Sequence, residues 1–195
     1  LIFTILFSAY CVGCLALMSD FGTALIFFVA FLCIAFLRTG DLPSIVMITA
    51  AAGFAGGIVL RFKPYVLARF AVWRHAWEYA QEEGYQQTRT MSAVASGGLF
   101  GAGPEEAWLK YVGAANTDLV FGVVSEEFGL LLALCAAAAV ILLGIYALRA
   151  AGRSRSSFYA IAACATAAML VFQTTLNVLG SVDCLLYTSP SPRDA

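Results

Sequence analysis

The sequence predicts an all-α fold, a polytopic transmembrane helix bundle. Three observations point there. Of the 195 residues, 62% are hydrophobic and only 12% are charged, whereas a water-soluble domain is about half apolar and about a quarter charged. The apolar residues are gathered into uncharged runs rather than spread along the chain. Each run is about 17 residues or longer, enough for a helix to cross about 30 Å of hydrocarbon. The net charge of -1 provides no basic face, which argues against a nucleic-acid partner.

The runs are 1–18, 21–37, 42–60, 128–148 and 156–182, and each reads as a spanning helix, about five in all. Arg38-Thr39-Gly40-Asp41 is a tight polar turn between the second and third runs. Arg149 to Ser157 separates the fourth and fifth. Residues 61–118 are the one long polar segment and hold most of the charge, all three tryptophans and a glycine cluster. Tryptophan prefers the membrane interface. The stretch 69–86, RFAVWRHAWEYAQEEGYQ, therefore reads as a helix, either amphipathic and interfacial or simply on the surface, with Phe70, Trp73 and Trp77 at helical spacing. Arg149, Arg153 and Arg155 crowd one short loop, which the positive-inside rule places in the cytoplasm. Counting spans backward then puts 61–118 outside. Arg61, Lys63 and Arg69 run against that orientation, although long loops follow the rule poorly. A functional reading is that these cations meet an anionic lipid head group.

Five of the six cysteines (Cys11, Cys14, Cys33, Cys135 and Cys164) lie inside apolar runs. Cys11-x-x-Cys14 has the spacing of half a zinc site, but no second pair follows and His75 is the one histidine. Small buried hydrophobes is the simpler reading, and no metal ligands are assigned. The chain begins at Leu1 within an apolar run, and residues 184–195, CLLYTSPSPRDA, break the pattern abruptly. That string resembles translated sequencing-adapter read-through. The expectation is an internal fragment with its transmembrane domain over 1–183 and a non-native tail over 184–195.

Few residues can carry chemistry. Thr117 is placed to cap a helix, with Asp118 in its first turn, where the dipole favours a negative charge. A carboxylate there could take a proton from a substrate hydroxyl, or could be an ordinary helix-start acid. Glu126 and Glu127 follow, about 12 Å deeper at helical rise. Acids at that depth need a partner, protonation or water, so they line a polar cavity or make a structural salt bridge or hydrogen bond. The glycines from Gly97 to Gly103 read as a flexible re-entrant or surface turn. Gln173 and Asn177 share one face of the last span, where polar side chains usually join helices.

These residues fall in a recognisable order. The chain resembles the SEDS family of bacterial membrane proteins (FtsW, RodA and SpoVE). SDFGTAL at 19–25 is similar to its Pro-Asp-x-Gly-Thr segment, with Ser19 in place of proline. GYQQTRTMSAVASGGLFGAG at 84–103 is similar to its Gly-Tyr-Gln and Gly-Gly-Leu-x-Gly-x-Gly segments. NTDLVFGVVSEEFG at 116–129 is similar to its Thr-Asp and Glu-Glu-x-Gly segments, and QTTLNVLG at 173–180 to a late Gln-x-x-x-Asn. The resemblance implies a ten-helix family fold of which these spans are the fifth to the ninth, with 61–118 as the large extracytoplasmic loop. It implies a peptidoglycan glycosyltransferase that polymerises lipid II, working with a class B penicillin-binding protein in the plasma membrane. The family's essential loop aspartate matches Asp118, which becomes the candidate general base. Arg69, Arg89 and Lys110 are then candidate cations for the leaving pyrophosphate, and Gln86 and Glu126 candidate substrate contacts. Two departures stand out: Lys110 occupies a position often acidic in relatives, and Gly113-Ala114-Ala115-Asn116 replaces a Pro-Glu-x-His pattern. No cofactor is evident, although phosphate chemistry often recruits a divalent cation. A lipid II flippase and a non-catalytic division or elongation scaffold are the alternative roles.

Overall fold

A computed structural model describes residues 6, 10–11, 13, 21–62, 73, 75–82, 84–113, 115 and 117–184. The described residues are helical and contain no strand: α1 (Phe21–Thr39), α2 (Leu42–Phe62), α3 (Tyr85–Gly97), a 3-10 turn (Leu109–Tyr111), α4 (Val120–Phe128), α5 (Leu130–Ala151) and α6 (Ser157–Ser181). The chain divides into two compact units, one from 1–67 and 142–172, the other from 68–141 and 173–195.

The apolar runs become the long helices. Gly22–Thr39 of α1, all of α5 and all of α6 are long and apolar enough to cross a membrane, and only 11% of each such stretch is buried inside the protein. Their side chains are therefore left for lipid or for further helices. The run 42–60 forms α2, 21 residues long. The first run, 1–18, lies almost wholly outside the described residues. Between α1 and α2 the turn is as short as its residues suggest: Gly40 N–H donates to Phe36 O at 2.8 Å and Thr39 Oγ1 to Ala35 O at 2.8 Å. Ser44 donates to the Asp41 carboxylate at the start of α2, and Pro43 sits in the first turn, where its missing N–H costs nothing.

Within 69–86, the described residues before α3, namely 73, 75–82 and 84, depart from the helix expected of them. Ala76–Glu82 are turns, closed by bonds from Glu78 N to His75 O and from Glu82 N to Tyr79 O, both 3.0 Å. Gly84 then lies so close to Ala76 and Tyr79 that a Cβ would come within 2.5 Å of the Ala76 carbonyl oxygen. The chain folds back on itself, and this tertiary contact overrides the weak helical spacing of the tryptophans. Phe70 and Arg74 lie outside the described residues.

The polar loop instead contributes α3, which the apolar pattern does not reveal. Gln86, Gln87, Thr88 and Thr90 are buried on it. Its hydroxyls are satisfied locally: Thr88 Oγ1 donates to Gly84 O at 3.0 Å, Thr90 Oγ1 to Gln86 O at 2.7 Å and Ser92 Oγ to Thr88 O at 2.8 Å. Polar groups turned back onto their own helix can be buried without distant partners. α3 packs on α4 and on the 3-10 turn around Ala93, Leu109 and Leu119, with Trp108, Val112 and Val123 against them.

The glycine-rich segment is fastened to the joint between α4 and α5. Ala102 N–H donates to Glu126 O at 2.9 Å and Gly103 N–H to Glu127 O at 3.1 Å. From the other side, Leu130 N–H donates to Gly98 O at 2.9 Å. Two glycines make this possible. Gly129 has φ +93°, a region side chains avoid, and breaks the helix between Phe128 and Leu130. Gly97 has no room for a Cβ, which would lie 2.3 Å from Ser125 O. Gly97→Ala must push α3 off α4 and is expected to cost about 1–3 kcal/mol of stability, read as a lower midpoint in detergent thermal unfolding. An unchanged midpoint would mean the helices part without penalty.

Candidate functional site at the start of α4

The start of α4 is built differently from the local cap expected there. Its N-cap is Leu119, which makes no side-chain cap, and there is no acid in the first turn. Thr117 and Asp118 lie in a turn before the helix. The helix dipole therefore does not act on Asp118 as it would on a first-turn acid. The cap comes from α6: Asn177 Oδ1 accepts the Phe121 N–H at 3.0 Å. The same amide donates from Nδ2 to Asp118 O at 2.9 Å and to Thr117 O at 3.4 Å. One side chain thus satisfies a free helix donor and fixes the backbone of Asp118, whose side chain is partly exposed. The helix-joining role read for Asn177 is what the structure shows. Gln173, one turn earlier, is exposed.

Glu126 is 1% exposed. Its Oε1 accepts the Trp108 N–H at 3.1 Å and its Oε2 the Leu109 N–H at 3.0 Å. Of the two readings of this acid, cavity lining or structural bond, the geometry takes the second. The carboxylate is committed to the start of the 3-10 turn rather than open to a ligand. Glu127 is half-buried.

The other candidates stand around the same small core. Gln86 is buried, and its Nε2 donates to Gly113 O at 3.1 Å, tying α3 to the segment that leads to Asp118. Arg89 is exposed, with its guanidinium 5.2 Å from the Tyr85 ring centre and 5.8 Å from that of Trp108, within cation–π range. Lys110 Nζ donates to Pro104 O at 2.6 Å and lies 5.5 Å from the Tyr111 ring centre. Arg69 lies outside the described residues. Trp108 was not singled out by the sequence as a site residue. The available signal was Tyr85 and Arg89 four apart on one helix face, and only folding brings Trp108 to them.

The model of the FtsW, RodA and SpoVE cell cycle proteins matches residues 1–187. The chain belongs to this family. Among its curated relatives, the probable peptidoglycan glycosyltransferase FtsW of Dichelobacter nodosus is 31% identical over 175 residues, which cover 85% of this chain and 44% of the relative. The corresponding FtsW of Coxiella burnetii is 30% identical over 178 residues, 85% of this chain and 46% of the relative. The peptidoglycan glycosyltransferase RodA of Mycobacterium leprae is 31% identical over 170 residues, 86% of this chain and 36% of the relative. The chain thus spans less than half the length of each. No solved structure matches. Family membership and three span-length apolar helices among the described residues make this a multi-pass protein of the bacterial inner membrane.

Within the family segment, the Asn177 contact yields a test of its own. Asn177→Leu keeps the volume and removes the cap, leaving the Phe121 N–H unpaired at a cost of about 1–2 kcal/mol. We expect Asn177→Leu to lower the unfolding midpoint and Asn177→Asp, which keeps the acceptor but loses the Asp118 bond, to lower it less. Equal midpoints for all three proteins would show that α4 needs no partner from α6.

Proposed function

We propose that the parent protein is a peptidoglycan glycosyltransferase that polymerises lipid II at the outer face of the plasma membrane, with Asp118 as general base. The relatives' names support the reaction class. The observation that carries the assignment of the base is the clamp of Asn177 on the Asp118 backbone, because a base must be held within reach of the proton it removes. In this reading Asp118 takes the proton from an acceptor sugar hydroxyl. The oxygen forms a bond to the anomeric carbon of the growing chain, and the bond from that carbon to the lipid pyrophosphate breaks. Arg89 and Lys110 stand on the packed elements beside this segment, and with Arg69 would offset the charge of the leaving pyrophosphate. Gln86 and Glu126 serve by holding the loop that presents these groups. A divalent cation would assist the pyrophosphate, and a class B penicillin-binding protein would be the transpeptidase partner.

Glu126 also bears on the flippase alternative. A polar path through the bundle would draw on Glu126 and Glu127, and the carboxylate of Glu126 is already occupied by backbone donors. The deciding experiment reconstitutes the full-length protein with its transpeptidase partner and supplies lipid II. Glycan polymer is the expected product. Lipid II crossing the vesicles with no polymer would replace the enzyme by a transporter, and neither activity would leave a scaffold.

A further inference from the structure

We propose that the Leu99–Phe100 tip is a membrane seat, inserted at the lipid head-group and acyl boundary beside the start of α5. Phe100 is 86% exposed and Leu99 60%, yet the tip is held in place. Gly101 N–H donates to Gly97 O at 2.8 Å, Leu130 N–H to Gly98 O at 2.9 Å and Leu131 N–H to Leu99 O at 3.4 Å. A large apolar pair fixed in the open needs a cover.

The position of the tip identifies that cover. α5 has 22 residues and is about 33 Å long, close to the roughly 30 Å of hydrocarbon it crosses. Its first residues therefore stand at the edge of the bilayer, and the tip is bonded to the first two of them. Leu131, Leu132 and Leu134 of α5 and Phe128 of α4 are themselves exposed, so the apolar surface of the tip continues that of a spanning helix. Residues 91–104 contain no charged side chain, so nothing in this stretch opposes insertion. The bare polar groups of a loop would be costly in lipid, and the backbone bonds to α4 and α5 reduce that cost. The seat would keep the loop carrying α3 and the 3-10 turn against the membrane surface.

The test places a tryptophan at the tip of the full-length protein, Phe100→Trp, with Leu99→Trp as a second probe. Leu134→Trp, at an exposed position of the spanning helix α5, serves as the membrane-depth reference and Glu105→Trp as the aqueous one. Each is reconstituted in phosphatidylcholine–phosphatidylglycerol vesicles with or without brominated acyl chains, and the emission of the parent is subtracted. The expected result is a blue-shifted emission at both tip positions, with loss of intensity in brominated lipid approaching that of Leu134→Trp and little quenching by aqueous acrylamide. Acrylamide quenching equal to that of Glu105→Trp, without bromine quenching, would overturn the proposal by leaving the tip in water. Protection from both quenchers would also overturn it, in favour of a protein cover.

Discussion

Under the proposed function, Asp118→Asn in the full-length protein is expected to reduce lipid II polymerisation about 10²–10⁴-fold, the range a general base contributes, while the protein folds normally. The bond from Asn177 reaches the backbone oxygen of residue 118 and stays in place on substitution. Asparagine keeps the size of the side chain and removes its capacity to take a proton. Glycan polymer measured over time, in parallel with thermal unfolding of both proteins, checks the two statements together. A variant that polymerises at the wild-type rate would remove Asp118 from the reaction. One that unfolds early would move its role from chemistry to structure.

The second large effect falls on stability. Glu126→Ala orphans the Trp108 and Leu109 N–H groups, which its carboxylate now pairs inside the α3–α4 core. An unsatisfied buried donor costs about 1–3 kcal/mol, so the variant should lose about 2–6 kcal/mol. Glu126→Gln keeps one acceptor oxygen and turns an NH2 group toward the other donor, so it should recover only part of the loss. Unfolding midpoints in the same detergent rank the three proteins. If the alanine variant melted like wild type but lost activity, Glu126 would belong with the substrate contacts and not with the scaffold.

The two acids illustrate how far the sequence could be read. Asp118 and Glu126 are eight positions apart and were both expected to lie on one helix, one as a first-turn acid and the other deep in the membrane. α4 begins at Val120 instead, because the cap comes from Asn177, almost sixty residues later. No local pattern around Thr117 could signal that. For Glu126 the sequence allows a polar cavity or a structural salt bridge or hydrogen bond, and its partners are backbone N–H groups, which every segment of chain carries and no sequence marks.

The sequence by itself determined the helical membrane class. Long uncharged apolar runs have few other stable solutions in lipid, where each backbone group must bond within its own segment, and α1, α5 and α6 follow those runs within a few residues. The ordered motifs also determined the family. Tertiary structure decided what the polar loop does. There the helical spacing around Trp77 yielded to turns, α3 formed from a stretch with no apolar stripe, and the Gly97–Gly103 segment became a fastening for the α4–α5 joint. The physical reason is the same in each case. A spanning helix is dictated by solvent acting residue by residue, whereas a loop is dictated by hydrogen bonds to whichever distant groups folding brings within about 3 Å.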